Sequence, residues 1–365
     1  MTAEHVAETA DIIVIGGGIA GISAAARLAP HARVVVLEAE AALGHHASGR
    51  SAALYEPQYG APAVVELSWA SEAHFRSIPG LLSPRGMLLV GKAHEGAVFE
   101  SDRAAMKFDA ITVDEALAIV PIVNPEVVTM AAHALHAEDI DTDLLLQGFA
   151  RDIRAQGGKI VTNARVTAIV RTASGWRVTW PGGEAEAALL INAGGAWVDQ
   201  VAQMAGVQPL GFQPNRRSMA RIPAPGGHDV SRWPIMFGPG ESWYAKPDAG
   251  ALIVSPAEED PMEPHDAWAD DMVLAEGLAR YEEYVTEPVT RLISSWAGLR
   301  TFAPDRVLVI GRDRREPGFF WLGGQGGYGF QTSAGASQLV ADLVLGRAPE
   351  LSADLVAALD PARFG

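Results

Sequence analysis

Residues 11–38 read DIIVIGGGIAGISAAARLAPHARVVVLE, and this stretch decides the fold. An apolar run that ends in consecutive glycines predicts a buried strand entering a tight turn, and the Ala-rich residues that follow predict a helix. The Val-rich run before Glu38 predicts a second, parallel strand. Gly16, Gly18 and Gly21 in such a β-α-β unit predict a dinucleotide site. Glycine permits the tight turn, the close approach of backbone to a pyrophosphate, and the packing of helix on strand.

Two features after the glycine turn narrow the choice of dinucleotide. The carboxylate of Glu38 ends the second predicted strand, where it can accept hydrogen bonds from a ribose diol and would repel the 2′-phosphate of NADP. The following loop, residues 44–51 (GHHASGRS), is rich in small residues and hydroxyls around Arg50. NAD enzymes have no obvious use for such a loop, whereas a flavin ring lies flat against exposed backbone donors. The sequence therefore predicts FAD.

Two further junctions between a predicted strand and a glycine-rich turn lie in the middle and near the end of the chain. Residues 188–192 precede one turn, and residues 319–322 precede the stretch 323–329 and a predicted helix. In the region that begins at Lys159 and precedes the first of these turns, the runs VTAIVR (166–171) and WRVTW (176–180) predict a β-meander. Together the three junctions predict one Rossmann-like FAD-binding domain assembled from residues 1–80, 138–210 and 298–365.

The intervening segments, residues 81–137 and 211–297, carry most of the prolines and many short alternating runs. They predict an interleaved substrate domain that is a mostly antiparallel β-sheet. The expected fold class is therefore α/β in the FAD-binding domain and α+β overall. The acidic cluster 258–271 predicts a solvated loop or helix start, with a lid over the site as the alternative.

Composition excludes several classes of function. The net charge of −16 repels phosphate backbones and argues against a nucleic-acid partner. The absence of cysteine excludes disulfides, thiolate metal sites, cysteine nucleophiles and a cysteinyl-flavin bond. No run reaches the ~18 apolar residues of a membrane helix, and residues 1–10 do not resemble a signal peptide. We therefore expect a cytoplasmic protein that is not an integral membrane protein.

One cluster of titratable residues contains the residue types that bind metal ions. Its members lie close together in the chain: His133, His136, Glu138, Asp139, Asp141 and Asp143. Their spacing fits no known ligand set, so we predict a solvated loop and a helix cap, and no metal.

A family resemblance rests on nine stretches that follow one another over nearly the whole chain. They are VIGGGIAGISAA, VVVLEAEAALGHHASGRSAALYEPQYG, LLSPRG, DIDTD, INAGGAWVDQVAQMAGV, QPNRRS, SWYAKPDAG, WAGLR and GFFWLGGQGGYGFQTSA. In this order they resemble the D-amino-acid oxidase superfamily of flavoproteins and, within it, the bacterial D-arginine dehydrogenases. The resemblance implies noncovalent FAD, although some relatives attach flavin to a histidine in the loop that here holds His45 and His46.

The resemblance also implies which residues contact the cofactor. They are Gly16, Gly18, Gly21, Glu38, Ser48, Gly49, Arg50, Ser51, Ala52, Val166, Gly194, Gly195, Gly326, Gly327, Gly329, Gln331 and Thr332. The glycines near the C-terminus, followed by a helix start, present N–H dipoles that can stabilise the negative charge of reduced flavin.

At the substrate, the resemblance implies a set of five residues: Arg217, Arg300, Tyr59, Tyr244 and Gly327. The two arginines would clamp a carboxylate, for which the planar guanidinium is suited, with the neighbouring Arg216 as the alternative to the first. The tyrosines would supply hydroxyls above the clamp, and the glycine carbonyl would hold the amine.

The sequence departs from the arginine-specific enzymes at two positions. Leu54 stands where those enzymes have a histidine, and Gly86 where they have the glutamate that pairs with the guanidinium. Both changes remove polar contacts for a cationic side chain and leave the carboxylate clamp unchanged. We therefore expect neutral or apolar side chains in the substrate.

The expected reaction is oxidation of a D-amino acid at Cα by hydride transfer, giving an imino acid that hydrolyses to a 2-keto acid. The sequence shows no base near the clamp. Alternatives are an oxidase of glycine or secondary amines, a flavin-dependent 2-hydroxyacid dehydrogenase, and a noncatalytic flavin-binding subunit. The electron acceptor is left open between a quinone and oxygen.

Overall fold

The computed structural model describes residues 8–365, so most of the segment expected not to be a signal peptide, residues 1–7, lies outside the described residues. The strands are β1 (Glu8–Thr9), β2 (Ile12–Ile15), β3 (Val34–Leu37), β4 (Leu54–Tyr55), β5 (Leu82–Pro84), β6 (Met87–Lys92), β7 (Asp109–Ile111), β8 (Val128–Ala134), β9 (Glu138–Ile140), β10 (Lys159–Val161), β11 (Ala168–Arg171), β12 (Trp176–Trp180), β13 (Gly183–Ala187), β14 (Leu189–Asn192), β15 (Gln213–Pro223), β16 (Ile235–Phe237), β17 (Tyr244–Asp248), β18 (Ala251–Ser255), β19 (Asp260–Pro261), β20 (Ser294–Phe302), β21 (Val309–Arg312) and β22 (Phe319–Gly323). The helices are α1 (Ile19–Leu28), α2 (Pro62–Arg76), α3 (Gly96–Ala105), α4 (Val113–Ile119), α5 (Thr142–Ala155), α6 (Val198–Met204), α7 (Asp271–Glu282), α8 (Ser333–Leu345) and α9 (Ala353–Leu359).

A six-stranded sheet in the order β10-β3-β2-β14-β22-β21 forms the centre of the α/β region. Its first five strands are parallel, and β21 pairs antiparallel with β22. The four residues of β2 alternate between two hydrophobic cores: Ile12 and Val14 pack toward α1, α5 and α8, while Ile13 and Ile15 pack toward β12 and α6. Burial on both faces explains the continuous apolar runs and confirms the α/β prediction.

The β-meander predicted from VTAIVR and WRVTW is confirmed, because these two runs contain β11 and β12, whereas the earlier strand in this region pairs elsewhere. Strands β11, β12 and β13 form an antiparallel meander. The first run, β10, instead joins the parallel sheet beside β3. A short apolar run does not reveal which strand it will pair with. Here α5 directly precedes β10 and belongs to the crossover connection that a parallel strand pair requires.

A nine-stranded sheet in the order β19-β15-β18-β17-β16-β6-β8-β7, with β20 also paired to β15, lies above the glycine turns. Its pairs are antiparallel except for β16 with β6. The strands come from residues 87–134 and 213–302, so two separated segments form one sheet. The division into domains remains a prediction, and its boundary at residue 298 falls inside the continuous strand β20.

No helix within residues 8–365 is long and apolar enough to span a bilayer.

The glycine turn leads to a first prediction, because a methyl group at Gly21 would lie 2.0 Å from the carbonyl oxygen of Gly16. Backbone cannot yield to such a contact, so Gly21→Ala should lower the melting temperature by roughly 4 °C or more. Gly148→Ala is the matched control, since Gly148 lies inside α5 and a methyl group there meets nothing closer than 3.8 Å. Alanine favours a helix over glycine, so this variant should be as stable as the natural protein or more stable. An unchanged melting temperature for Gly21→Ala would contradict the packing argument.

Candidate active site

Three adjoining cavities run from the carboxyl ends of the parallel strands to the nine-stranded sheet. Their volumes are about 310, 130 and 120 Å³. Ser48 and Arg50 line both the first and the second, and Arg300 and Gly327 line both the second and the third. The cavities therefore form one elongated space, long enough for a dinucleotide with a small molecule beyond its end.

The first cavity begins at the glycine turn between β2 and α1. Gly16 has a φ of +113°, and a methyl group on it would lie 2.2 Å from the carbonyl oxygen of Ala193, so β2 and β14 approach as only glycine allows. Ser48 Oγ accepts a hydrogen bond of 3.0 Å from the backbone N–H of Ile19. The N-terminus of α1 thus faces the first cavity, and the N–H groups of a helix N-terminus are a common binding site for phosphate.

Glu38 forms the cavity wall beside this turn. It is buried, and its two carboxylate oxygens accept hydrogen bonds from the backbone N–H groups of Gly17 (2.7 Å) and Glu40 (2.8 Å). Each carboxylate oxygen has a second lone pair, so the fixed carboxylate can still accept a bond from a ribose hydroxyl.

The predicted cofactor residues divide into those that line a cavity and those that shape it. The first cavity is lined by Gly16, Gly18, Glu38, Ser48, Arg50, Val166, Gly194 and Gly195. The second is lined by Ser51, Ala52, Gly326, Gly327 and Gly329, and the third by Gln331. The remaining three, Gly21, Gly49 and Thr332, pack behind the walls: Gly49 donates to the Gly44 carbonyl at 2.5 Å, and the Thr332 hydroxyl to the Tyr328 carbonyl at 2.8 Å.

The acidic segment 258–271 is not a free solvated loop. His265 and Ala267 line the first cavity, and the Arg50 guanidinium binds the Asp266 carboxylate and the Ala267 carbonyl, the latter at 2.8 Å. Asp270 accepts hydrogen bonds from the first N–H groups of α7, as the helix-start prediction requires. The segment therefore folds over the dinucleotide cavity through Arg50.

The pairing of β15 with β20 brings the predicted arginines to one surface. In this antiparallel register Arg217 lies opposite Gly298, and Asn215 opposite Arg300. Paired residues share a face, and so do residues two apart along a strand, so Arg217 and Arg300 point to the same side. Both line the second cavity. Arg216 points to the other side and pairs with Asp260 at 2.7 Å, which removes it as the alternative.

Arg300 lies at the junction of the second and third cavities. Its guanidinium lies against Gly327, where a methyl group would come within 3.0 Å of Cζ and Nη1. Among residues 8–365 it has no hydrogen bond or ion pair. Burial alone would lower the pKa of Arg300, but the neighbouring Tyr244 and Tyr59 raise it above its usual value. The Arg300 guanidinium is therefore a charged group that lines both cavities and has no partner within the described chain.

Arg217 differs from Arg300 in having partners. Its Nε donates to the Glu258 carbonyl at 2.9 Å, and its Nη2 lies 3.2 Å from the Glu259 carboxylate. Its Nη1 is buried without a partner within the described chain. It lines the second cavity but not the third, so the two predicted clamp arginines are not equivalent.

The third cavity gathers the other predicted substrate residues. Tyr59, Tyr244 and Leu54 line it together with Arg300 and Gly327. The Tyr59 hydroxyl donates to the Glu241 carboxylate, and burial raises the pKa of Tyr59 well above its usual value. The Tyr244 hydroxyl lies 3.3 Å from the Met219 sulfur.

Gly86 is not part of this cavity. A methyl group on it would lie 3.0 Å from the Ala134 carbonyl and 3.5 Å from His133 Nε2, so it packs against β8. The next residue, Met87, lines the wall instead. The family resemblance predicts a cavity position at Gly86, but the cavity is lined by Met87. Successive residues of a strand point to opposite faces, so an offset of one residue decides which of them reaches the cavity.

Three charged residues of the third cavity escaped sequence analysis: Glu56, Glu241 and Lys246. Lys246 Nζ lies 2.9 Å from the Asp139 carboxylate and 2.5 Å from the Ala52 carbonyl, which fixes the loop between the second and third cavities. No spacing rule singles these residues out, since each lies in a loop or strand whose path is set by distant partners.

Glu56 is the most deeply buried of the three. Its carboxylate accepts a hydrogen bond from the Gln58 N–H at 2.9 Å and lies 2.8 Å from His136 Nε2. Burial raises the pKa of Glu56 to about 7. The cluster from His133 to Asp143 is therefore only partly a solvated loop and cap. Asp141 caps α5 by accepting the Leu144 N–H at 2.8 Å, but His136 and Asp139 pair with residues that line the third cavity.

Comparison with known proteins agrees with this geometry. Residues 11–343 match the DAO family, described as FAD dependent oxidoreductase. The chain is 24% identical over 397 residues to FAD-dependent oxidoreductase domain-containing protein 1 of Bos taurus, covering 93% of this chain and 82% of that protein.

Two solved structures share the fold. Glycine oxidase from Geobacillus kaustophilus superposes with a TM-score of 0.82 at 21% identity, covering 98% of this chain and 99% of that chain. L-Proline dehydrogenase from P. horikoshii gives a TM-score of 0.82 at 21% identity, covering 98% of each chain. The open helix start, the ribose-facing Glu38 and the glycine-lined second cavity fit an adenine dinucleotide that carries a flat ring. The chain belongs to the DAO family of FAD-dependent oxidoreductases, and FAD is its cofactor.

Proposed function

We propose that this protein oxidises a free α-amino acid at Cα and releases the imino acid, which water hydrolyses to a 2-keto acid. The observation that carries the proposal is the guanidinium of Arg300, which lies where the second and third cavities meet and has no partner in the part of the chain that the structure describes. An unpaired buried charge is costly unless a ligand compensates it, and a planar guanidinium matches a carboxylate. Bound FAD supplies the hydride acceptor.

The residues around Arg300 would orient the substrate. Its guanidinium would bind the carboxylate, with hydroxyls from Tyr59 and Tyr244 beside it, and the Gly327 carbonyl would accept a bond from the amine. The positive charge of Arg300, with Arg217 nearby, lowers the pKa of a bound ammonium group. The amine thereby loses its proton more readily, which oxidation at Cα requires.

The side chain of the substrate would face the apolar part of the third cavity. This wall consists of Leu54, Met87, Met106, Ile235 and Phe237. The two carboxylates in the cavity each have a partner already, Tyr59 for Glu241 and His136 for Glu56. We therefore propose a neutral side chain of small to medium size. The D configuration and the nearer likeness to D-arginine dehydrogenases are parts of the same proposal that rest on the sequence motifs.

A second candidate is an oxidase of glycine or a secondary amine. The small volume of the third cavity, about 120 Å³, favours it. The two enzymes that share the fold are named for glycine and L-proline, and proline is a secondary amine. Both candidates require the carboxylate site at Arg300.

The role of Arg300 is tested by Arg300→Met. A charge-assisted hydrogen bond contributes about 1.5–3 kcal/mol, so kcat/KM should fall tenfold to a hundredfold or more while FAD remains bound. Arg217→Met should also lower kcat/KM. Arg221→Met is the control, because Arg221 lies on the same strand but pairs with Asp248 at 2.7 Å and lines none of the three cavities. Natural kinetics in the Arg300 variant would remove this residue from the site.

The substrate class is tested by a panel assayed with an artificial electron acceptor. It contains D- and L-alanine, leucine, methionine and arginine, with glycine, sarcosine and D- and L-lactate. We expect D-leucine, D-methionine or D-alanine to give the highest kcat/KM, because a guanidinium in the third cavity finds no free carboxylate. Preference for D-arginine would contradict the side-chain argument, preference for L-enantiomers the stereochemical one, and preference for glycine or sarcosine would establish the second candidate.

The mode of FAD attachment is tested by acid precipitation of the yellow holoenzyme. The chain has no cysteine, and His46 Nε2 is engaged by the Glu40 carboxylate at 3.2 Å. We therefore expect noncovalent binding and release of FAD into the supernatant. Flavin that stays with the precipitate, and disappears from it in His45→Ala or His46→Ala, would show a histidyl bond instead.

A further inference from the structure

Oxidation of an amino acid releases a proton from the amine nitrogen as well as a hydride from Cα. In this molecule the amine would lie in the third cavity, beneath the nine-stranded sheet. The proton therefore needs an acceptor in the cavity and a route from it to water. The clamp residues provide neither, because a guanidinium, two protonated tyrosine hydroxyls and a backbone carbonyl do not accept a proton near neutral pH.

Glu56 and His136 together connect the cavity to the surface. Glu56 lines the third cavity with Arg300 and Tyr244, and only 2% of its side chain is exposed. His136, in the turn between β8 and β9, has 29% of its side chain exposed. Its Nε2 lies 2.8 Å from Glu56 Oε2, a contact without the alignment of a hydrogen bond, and neither atom has a hydrogen-bond partner within residues 8–365. The pair thus has one end in the cavity and the other in solvent.

Burial shifts the pKa values of the two groups in opposite directions. The titratable neighbours are His136 and Lys107 behind the cavity, Tyr55 beside Glu56 in the chain, and, within the cavity, Tyr59, Glu241, Tyr244, Lys246 and Arg300. Burial raises the pKa of Glu56 to about 7, and burial lowers the pKa of His136 from its usual value of 6.5. A general base is most efficient when its pKa lies near the working pH, as that of Glu56 does.

We propose that Glu56 and His136 form a proton relay that carries the amine proton from the third cavity to solvent. The N–H bond of the substrate ammonium breaks, its electron pair stays on nitrogen, and the proton forms an O–H bond on the Glu56 carboxylate. That proton then moves to His136 Nε2, and the imidazole releases its Nδ1 proton to water. No electrons are transferred in these steps. The relay rests on the proposed amino acid oxidation and supplies the base that sequence analysis did not find.

The first test is the pH dependence of kcat/KM for the FAD-loaded enzyme with the best substrate of the panel. For the natural protein we expect kcat/KM to rise through an apparent pKa near 7, the value to which burial raises Glu56. Glu56→Gln should remove this ionisation and lower kcat/KM about a hundredfold at pH 7.5, within the usual range for a general base. Glu56→Asp should keep the ionisation at a lower rate. A merely structural role would lower the rate in both variants without removing the ionisation.

The second test asks whether added imidazole restores the activity of a variant that lacks the His136 side chain. His136→Ala should lower kcat/KM about tenfold, and added imidazole should restore most of the loss by replacing the missing acceptor. His133→Ala is the matched control: His133 is a half-buried histidine on β8 whose pKa burial also lowers, and it lies against Gly86 rather than Glu56. It should keep natural kinetics and show no response to imidazole.

The outcomes separate the relay from the proposed function. If no amino acid or amine reduces the FAD of the natural protein, the proposed function fails and the relay with it. The relay alone is overturned if amino acids are oxidised but the Glu56→Gln variant keeps the ionisation near pH 7. It is also overturned if the His136→Ala variant has the natural rate, or if imidazole does not raise its rate. The FAD content of each variant, measured from its flavin absorbance, establishes that the comparison is between folded holoenzymes.

Discussion

The pairing of β15 with β20 over nine residues is the interaction on which the active site depends. One face of this ribbon carries Arg217, Gly298 and Arg300, and that face closes the space above the glycine turns. The ribbon also belongs to the sheet whose other strands line the third cavity. A slip of one strand by one residue against the other would place Arg217 and Arg300 on opposite faces of the sheet. The register therefore keeps both arginines on the surface that lines the second cavity.

Electrostatics in the site follow from this placement. Arg217 forms an ion pair with Glu259 and donates to the Glu258 carbonyl, whereas Arg300 has no partner in the described part of the chain. Among the residues that line the third cavity, the Glu241 carboxylate accepts a hydrogen bond from Tyr59, and the Glu56 carboxylate contacts His136. The cavity therefore has one free positive charge and a separate region able to accept protons. This polarity suits a ligand that has both a carboxylate and an amine, and it links the proposed reaction to the proposed relay.

Prediction from sequence succeeded where structure is set by neighbours in the chain. The α1 helix begins and ends where the apolar pattern indicates, and Glu38 faces the first cavity because it ends β3. Prediction weakened where a residue's surroundings come from remote segments. The strand at Lys159–Val161 joined the parallel sheet rather than the meander, and Gly86 packed against β8 instead of entering the third cavity.

The sequence by itself determined the FAD-binding fold, because steric demands of a glycine turn, burial of parallel strands and a carboxylate at a strand end are local properties that leave a local pattern. Only the tertiary structure decided which of the adjacent arginines faces the cavity, that Arg300 has no hydrogen bond or ion pair within residues 8–365, and that Glu56 meets His136 eighty residues later. Burial and charge pairing depend on which segments pack together. No spacing along the chain records the fact that β4 and β9 pair and bring those two side chains into contact.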